Sequence, residues 1–321
     1  SRNIILGCRV NAPILDGDNQ LAIGIAQAYD SPITNYWITG NSDMNVGIGT
    51  TNPNAAVGAG VTAKLSVGIV SAYQLYGDGS NLTGLSGFSQ DDQGNLVAGT
   101  GAGAAVDSDT CFNLILGCNA GAALNAGDDH VIIGREAAKL MTGKSSSVII
   151  GKYAQCNGTG GNHGIIIGNL AGCNNTGNYN IFMGLHAGRA NTDGFYNFYA
   201  GSMAGCLGNG SRNVYIGAQA GGGGGNASDN FAGGYKALRT ASGSHNIVIG
   251  CKAASGQTVT GTQNIMLGQV SGQNISSGDK NIAFGTCSLG CGTVTGDDNI
   301  AIGLKAAKGT TSGEENIFIG K

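Results

Sequence analysis

Four side chains between residues 163 and 196 have types and a spacing that suit contact with a sugar. Tyr179 lies 16 residues after His163 and 17 residues before Tyr196, and Phe195 immediately precedes Tyr196. His163, Tyr179 and Tyr196 each stand just before a recurring apolar phrase, so stacking of the phrases would place their rings in an exposed row. Aromatic rings in a row, with hydrogen-bonding partners, can pack on sugar rings. His163, Tyr179, Phe195 and Tyr196 are therefore candidate glycan contacts, and the alternative is ordinary surface aromatics.

A group of charged residues near the C-terminal end offers oxygen ligands. It consists of Asp279, Lys280, Asp297, Asp298, Glu314 and Glu315. Carboxylates that lie close together could hold Ca²⁺, but a solvated acidic turn explains the same residues more simply, and we favour it. We expect the group on a convex edge, whereas a glycosidase needs two carboxylates that flank a cleft. We predict no metal ligand, no cofactor-binding residue and no catalytic residue.

Cysteine and histidine spacing gives no support for nucleophilic catalysis. The nine cysteines have no paired CxxC spacing, which argues against a zinc site and against a complete disulfide framework. Cys156 and Cys173 occupy equivalent places in consecutive repeats and could form a disulfide, but we favour free thiols. The four histidines are scattered, and the Gly221 to Gly225 run lacks a Walker lysine, so we interpret it as a flexible corner. The chain is not predicted to be an enzyme.

One phrase, an Asn-like residue followed by three apolar residues and a glycine, recurs thirteen times from Asn113 onward. The closing glycines, from Gly117 to Gly320, are 16 to 18 residues apart. This period suits a strand, a turn, a shorter strand and a second turn, and it is too short for a pair of helices. The fold class is all-β, a parallel β-solenoid or β-roll with rungs of about 17 residues. Asparagine at the first place of each phrase predicts a ladder of Asn side chains at a corner, in the left-handed conformation.

The three apolar residues of each phrase predict two buried faces. The first and third residues share one side of a strand, which we assign to the solenoid core, and the middle residue points the opposite way. Because the middle residues are also apolar, we expect them to be covered by identical copies of the chain around a shared axis. The alternative is that residues 31 to 107 fold back over them as a lid. This predicted oligomer interface consists of Ile115, Ile132, Ile149, Ile166, Phe182, Tyr199, Tyr215, Val248, Met266 and Phe318. A small residue, usually Ala, three places after each glycine predicts a thin rung.

The repeat divides the chain into three predicted segments. Residues 1–29 form two short β-solenoid rungs, residues 30–107 form a non-repetitive β-rich neck or connector, and residues 108–321 form a thirteen-rung solenoid. The chain begins within a repeat phrase and stops one residue after Gly320, so we expect it to be a segment of a longer protein. The connector contains Val46-Gly47-Ile48-Gly49-Thr50-Thr51-Asn52-Pro53, then Lys64-Leu65-Ser66-Val67, and then Tyr76-Gly77-Asp78-Gly79-Ser80-Asn81-Leu82-Thr83-Gly84-Leu85.

These connector motifs resemble the shaft or neck of trimeric bacteriophage tail-fibre and appendage proteins, where a GIGTTxP stretch precedes GDGSxLTGL. The NIxIGxxAG rungs are similar to those in the heads of trimeric autotransporter adhesins. Both resemblances imply a homotrimeric, surface-exposed attachment protein on a virion or another extracellular surface. Its implied partners are copies of itself, a host-surface glycan or protein receptor, and other tail or appendage proteins.

Composition narrows the possible functions. Charged residues are 11% of the chain and the net charge is −3, which gives no basic surface for nucleic acid or an acidic membrane. No apolar run is long enough to cross a bilayer. We therefore expect a structural and attachment segment of a viral tail fibre or similar appendage. The alternatives are the head of a bacterial adhesin and, with less support, a polysaccharide-degrading solenoid enzyme.

Overall fold

The structure, a computed structural model, describes residues 3–7, 20–24, 36–40, 46–48, 65–67, 90–143, 145–290 and 292–321. The chain divides into two compact units, an N-terminal unit of Ser1–Asn81 and a solenoid unit of Leu82–Lys321. The described residues contain strands and turns but no helix, and hence no helix that could cross a membrane.

Five strands belong to the N-terminal unit: β1 (Ile4–Leu6), β2 (Leu21–Gly24), β3 (Tyr36–Gly40), β4 (Val46–Ile48) and β5 (Leu65–Val67). Fourteen strands of three residues belong to the solenoid unit: β6 (Leu96–Ala98), β7 (Leu114–Leu116), β8 (Val131–Ile133), β9 (Val148–Ile150), β10 (Ile165–Ile167), β11 (Ile181–Met183), β12 (Phe198–Ala200), β13 (Val214–Ile216), β14 (Phe231–Gly233), β15 (Ile247–Ile249), β16 (Ile265–Leu267), β17 (Ile282–Phe284), β18 (Ile300–Ile302) and β19 (Ile317–Ile319).

The solenoid unit is built on one parallel sheet in which every strand pairs with the next strand of the chain. Its order runs from β19 back to β6 without a crossover. The register is unbroken, so that Ile166 pairs with Phe182 and Phe182 pairs with Tyr199. The predicted all-β parallel solenoid is therefore confirmed, with fourteen rungs. At about 4.8 Å per rung, the sheet is roughly 62 Å long.

The glycine that closes each strand is required by its backbone. These glycines have φ angles between +124° and +144°, a range that L side chains rarely adopt. They also lie against one another, since a Cβ atom added to Gly134 would stand 2.6 Å from the carbonyl oxygen of Gly151. Glycine therefore recurs with the period of the rungs, because at this position the backbone of each rung lies too close to the backbone of the next for any side chain.

A ladder of buried asparagines runs beside the sheet, as predicted, and it is interrupted at Gly164, which has no side-chain acceptor. Each Asn Oδ1 accepts the backbone N–H of the equivalent residue in the next rung, for example 2.9 Å from Asn197 to Asn213 and 3.0 Å from Asn213 to Asn230. Where the Asn is replaced, His130 Nδ1 and Ser147 Oγ accept the same bond at 3.3 and 3.2 Å. The left-handed conformation, however, belongs to the residue before each Asn.

The two faces of the strands are the reverse of those predicted. The middle residues point into the solenoid, and the members of the predicted oligomer interface are at most 4% exposed within one chain, apart from Phe318, which is half-buried against the same core. They are Ile115, Ile132, Ile149, Ile166, Phe182, Tyr199, Tyr215, Val248, Met266 and Phe318. The physical reason lies in the Asn ladder, because residues two apart in a strand share a face and the buried Asn is two places before the middle residue.

The first and third residues of β6–β19 therefore form the outer face of the sheet. None of these residues has a polar side chain. Ile165, Met183, Ile247 and Phe284 are 37%, 42%, 42% and 56% exposed. The apolar stripe that the sequence predicted outside the solenoid exists, but it is made by these two columns rather than by the middle one.

The interior is narrow and its residues compensate one another in size. The predicted column of small residues is fully buried at Ala120, Ala154 and Ser271, which confirms the thin rung. Glycine stands six places after the aromatic core residues, and a Cβ added to Gly188 would lie 2.7 Å from the ring of Phe182. Where the core residue is Ala232, the same register position holds the buried Leu238. In most rungs a large residue of one wall faces a small residue of the other, whereas the rung of β18 has Ala301 and Ala307 at these two positions.

The boundaries of the segments differ in part from the prediction. β6 pairs with β7 in the solenoid sheet, so the solenoid begins one rung before residue 108, within the segment assigned to the connector. β1 and β2 are parallel, as expected for two rungs in residues 1–29, whereas β3 pairs antiparallel with both β2 and β4. Of the connector motifs, Val46–Ile48 and Leu65–Val67 are strands, and residues 76–85 lie outside the described residues.

Candidate functional site

The backbone of each rung projects one side chain outward at the corner that precedes the Asn. This corner column comprises Phe112, Asp129, Ser146, His163, Tyr179, Tyr196, Arg212, Asp229, His245, Gln263, Lys280, Asp298 and Glu315, and all thirteen have φ between 53° and 63°. The left-handed conformation costs a non-glycine residue about 1–2 kcal/mol. Because every rung repeats it, neighbouring side chains of the column lie directly above one another.

Three of the predicted glycan contacts form a stack in this column. The ring centroids of His163 and Tyr179 are 5.2 Å apart, and those of Tyr179 and Tyr196 are 4.8 Å apart with planes only 7° from parallel. Phe195 meets Tyr196 edge to face at 5.6 Å. Stacking covers the ring faces of Tyr179 with its neighbours and leaves ring edges and hydroxyl groups toward solvent. The structure therefore brings together all four predicted residues, which we call the aromatic corner.

Phe195 occupies a place that other rungs use for a hydrogen bond. In this turn column, two places before the Asn, side-chain oxygens accept the backbone N–H of the equivalent residue in the preceding rung: those of Asp128, Asn162, Asn178, Ser211, Ser228, Ser244, Asp279 and Asp297. Phe195 has no acceptor to offer to Asn178, and its side chain is 41% exposed. This rung therefore lacks the side-chain hydrogen bond to the preceding rung and exposes an aromatic ring to solvent at the same position.

A recess of about 340 Å³ opens at the aromatic corner. Its lining is Thr176, Gly177, Asn178, Tyr179, Asp193, Phe195 and Tyr196. The lining combines aromatic surface with hydroxyl, amide and carboxylate groups, which is the mixture that binds a sugar through its apolar face and its hydroxyl groups. His163 does not line the recess, but it stacks on the Tyr179 ring from the neighbouring rung.

Asp193 is the acidic group of the recess. Hydrogen bonds from the Asn209 amide and from the Thr192 hydroxyl, the latter at 3.2 Å, hold the pKa of its carboxyl below the ordinary value. The group is therefore a charged acceptor at neutral pH. Sequence reasoning did not select Asp193, although its place four residues before Asn197 puts it in the same corner turn as Phe195 and Tyr196.

An ion pair borders the aromatic corner on the next rungs. Arg212 follows Tyr196 in the corner column and donates from Nε and Nη2 to the two carboxylate oxygens of Asp229, at 2.6 and 2.8 Å. These bonds lower the pKa of Asp229. The Arg212 guanidinium carbon also lies 5.8 Å from the centre of the Phe195 ring. One side of the Phe195 ring therefore faces the Arg212 guanidinium, which the carboxylate of Asp229 holds in place.

The other groups considered from the sequence have structural explanations. The carboxylates of Asp279 and Asp297 accept backbone N–H groups at 2.6 and 2.7 Å as members of the turn column. Within the described ranges, no group of three or more His, Cys, Asp or Glu residues is placed to hold a metal ion. Cys156 and Cys173 are free and buried, with sulfur atoms 3.0 Å apart, and burial beside Cys173 raises the pKa of Cys156 to about 12.

Comparison with protein-family models, with curated proteins and with solved structures gave no match to this chain. Its function must therefore be inferred from its own geometry and chemistry.

Proposed function

We propose that the chain is a structural and attachment segment of a viral tail fibre or a comparable surface appendage. In this role the solenoid is a rigid homotrimeric rod at a virion or other extracellular surface, and the aromatic corner binds a glycan of the host surface. The observation that carries the binding part of the proposal is Phe195. Real proteins break the local rules of their fold mainly at functional sites, and an exposed aromatic ring in a hydrogen-bonding column is such a break.

The outer face of the sheet supports assembly with identical copies. Two columns of apolar side chains run along about 62 Å, and at a width of about 10 Å they cover roughly 600 Å². This is as large as the largest apolar patch on ordinary monomers. A second copy of the chain has the same length and the same rung spacing, so it can cover the stripe along its whole length. Closed rotational symmetry then buries every stripe, and the threefold state is the one that the connector motifs imply.

Binding is favoured over catalysis by the composition of the recess. Hydrolysis of a glycosidic bond needs a pair of carboxyl groups about 5 to 10 Å apart on either side of the bond. The lining of the recess contains one carboxylate, Asp193. An acceptor of fixed charge beside aromatic surface suits retention of a sugar, and attachment requires only retention.

Phe195→Ser is the sharpest test of the aromatic corner. The serine restores the side-chain acceptor found at Ser211 and Ser228, so the variant should fold at least as stably as the wild type. Binding to an array of neutral and acidic oligosaccharides should weaken by about tenfold, which corresponds to about 1.4 kcal/mol. Tyr235→Ala is the matched control, because Tyr235 is 44% exposed but lies away from the aromatic corner.

Two results would contradict the glycan site. One is retention of the best oligosaccharide by Phe195→Ser and by Tyr179→Ala with unchanged affinity. The other is failure of the assembled wild-type protein to retain any saccharide of the array above the level of a denatured sample.

A further inference from the structure

A second recess, of about 410 Å³, lies on a different edge of the same rungs. It is bounded by residues two places after the repeat glycines, including His186 and Gln219, and by residues five and six places after them, including Arg189, Arg239 and Thr240. No carboxylate contributes to its lining. The recess is therefore a concave surface whose only charged groups are cationic.

The glycine run of the sequence creates the space. Gly222 and Gly223 stand at the positions that hold Arg189 and Ala190 in one rung and Arg239 and Thr240 in another. The absence of two side chains leaves a gap between Leu207 of the preceding rung and Arg239 of the following rung, and Arg189 lies one rung beyond Leu207. The backbone there is not loose, since Gly222 donates to Gln219 at 3.2 Å and Gly223 donates to the Arg239 carbonyl. The run predicted as a flexible corner is thus the floor of a recess.

Within the part of the chain that the structure describes, neither arginine has an acidic partner. Of the four arginines in the described part of the chain, Arg212 is paired with Asp229 and Arg135 donates to the Tyr153 hydroxyl at 3.1 Å. Arg189 and Arg239 make no side-chain hydrogen bond and no ion pair within the described residues, and both are exposed. A guanidinium group presents a rigid fork of donors that matches a carboxylate or a sulfate.

The distance between the arginines defines the kind of ligand. Arg189 and Arg239 belong to the rungs of β11 and β14, so their backbones are three rungs, or about 14 Å, apart. An extended chain with repeated negative charges can pair with both arginines along this span without requiring the two side chains to converge on one point. Gln219 and Thr240 add neutral groups between and beside the arginines that suit sugar hydroxyl groups.

We propose that this arginine recess binds an acidic oligosaccharide, one with carboxylate or sulfate groups, through Arg189 and Arg239. The inference deepens the proposed attachment function and rests on it, because it names the class of glycan that the rod retains. The small net charge of the chain, −3, disfavours a long polyanion such as nucleic acid, which needs an extended basic surface.

The test is a titration of the assembled protein with a uronic-acid tetrasaccharide, with its neutral counterpart and with inorganic sulfate. Arg189→Gln and Arg239→Gln should each weaken binding of the acidic tetrasaccharide by about tenfold, as expected for a lost charge-assisted hydrogen bond. Binding should also weaken as salt is raised from 0.05 to about 0.5 M, since exposed charges are screened. Arg135→Gln, which removes a guanidinium that is bonded to the Tyr153 hydroxyl and lines neither recess, is the control and should bind normally.

The outcomes separate this inference from the aromatic corner. Affinity for the acidic tetrasaccharide that depends on the two arginines but not on Phe195 supports the arginine recess and contradicts the aromatic corner. Binding that depends on Phe195, with equal affinity for acidic and neutral sugars and no loss in either arginine variant, overturns the arginine recess and leaves the proposed function standing. Equal binding of sulfate and tetrasaccharide, or a loss in Arg135→Gln as large as that in the Arg189 and Arg239 variants, also overturns it.

Discussion

The side-chain oxygen of Asn246 accepts both the backbone N–H and the side-chain N–H of Asn264, each at 3.0 Å, one rung further along the solenoid. Asn246 in turn donates to the carbonyl oxygen of Gly261 at 3.0 Å. One buried amide thus satisfies groups in the strand and in the corner turn of the next rung. Since unpaired polar groups in a protein interior cost free energy, this relationship aligns each rung with its neighbour.

Asn246→Ala should therefore lower the stability of the solenoid markedly. The substitution leaves the Gly261 carbonyl and the Asn264 amide without their partners, and each buried group left unpaired costs about 1–3 kcal/mol. The free energy of unfolding in urea measures the effect. Asn316→Ala is the matched control, because Asn316 is half-buried and its Nδ2 bonds reach only Asn299 and Glu314. A loss in Asn316→Ala as large as that in Asn246→Ala would contradict the role of the buried ladder.

Neighbouring residues of β9 test the orientation of the strands. Ile149 is fully buried and Val148 is half-buried on the outer face. Ile149→Asp places a carboxylate in the interior, where an unpaired charge is not tolerated, so the variant should lose β-structure by circular dichroism. Val148→Asp should keep the wild-type spectrum and weaken assembly instead. A folded Ile149→Asp protein together with an unfolded Val148→Asp protein would show that the faces are the other way round.

Alanine substitutions of two glycines should have opposite consequences. Gly134→Ala forces a side chain into a φ of +131° and against the Gly151 carbonyl 2.6 Å away, so it should destabilise the protein by more than about 1 kcal/mol. At Gly164 the nearest atom to an added Cβ is the Asn180 oxygen at 3.6 Å, an ordinary contact. Gly164→Ala should be neutral or stabilise by about 0.4–1 kcal/mol, because it reduces the freedom of the unfolded chain. Thermal unfolding of both variants tests this difference in stability. Equal unfolding midpoints for the two variants would contradict it.

The buried tyrosines predict a loss of stability at alkaline pH. Tyr199 stacks between Phe182 and Tyr215, its side chain is fully buried, and this burial raises its pKa well above the ordinary value of 10.0. The unfolded chain then releases the proton at lower pH than the folded chain. Stability is fully present below pH 10.0 and is lost as pH rises toward the folded pKa.

Tyr199→Phe should reduce this alkaline loss. It removes the titrating hydroxyl group, so its unfolding midpoint in urea should fall less than that of the wild type between pH 7 and pH 11. Tyr153→Phe is the control, because the Tyr153 hydroxyl is bonded to Arg135 at 3.1 Å in an exposed place. An alkaline profile of Tyr199→Phe that runs parallel to that of the wild type would exclude this residue as the cause.

The sequence predicts the regular part of the fold because each rung repeats the same physical requirement. The spacing of the glycines gives the period, and the recurrence of Asn at one place in most rungs gives the ladder. The orientation of the strands does not follow from pattern, since all three residues of a strand such as Val148-Ile149-Ile150 are apolar. The buried polar residue two places before the middle one, Ser147 in this rung and Asn in most others, holds the missing information once it is treated as an interior residue.

The candidate site is predictable only in part, for a similar reason. Residues of one column, such as Tyr179 and Tyr196, are brought together by the period itself. A role can be assigned to Phe195 and Asp193 only when the hydrogen bonds of neighbouring rungs are known. The arginine recess combines Arg189 and Arg239, which are three rungs apart, with the space left by Gly222 and Gly223, which have no side chains. A search for local motifs does not detect such an arrangement. The rung at β6 adjoins a segment without a period, but Asn95-Leu96-Val97-Ala98-Gly99 fits the repeat phrase and Gly99 lies 18 residues before Gly117, so this rung can be recognised in the sequence and the predicted boundary at residue 108 is wrong.

The native mass of the assembled protein tests most directly whether the outer face of the sheet is covered by identical copies. One chain has a mass of 31.9 kDa. We predict a single species of three chains in native mass spectrometry, with the first and third residues of β7–β19 protected from solvent in hydroxyl-radical footprinting. A monodisperse species of one chain, with Ile165, Ile247 and Phe284 oxidised as readily as in the unfolded protein, would contradict the account.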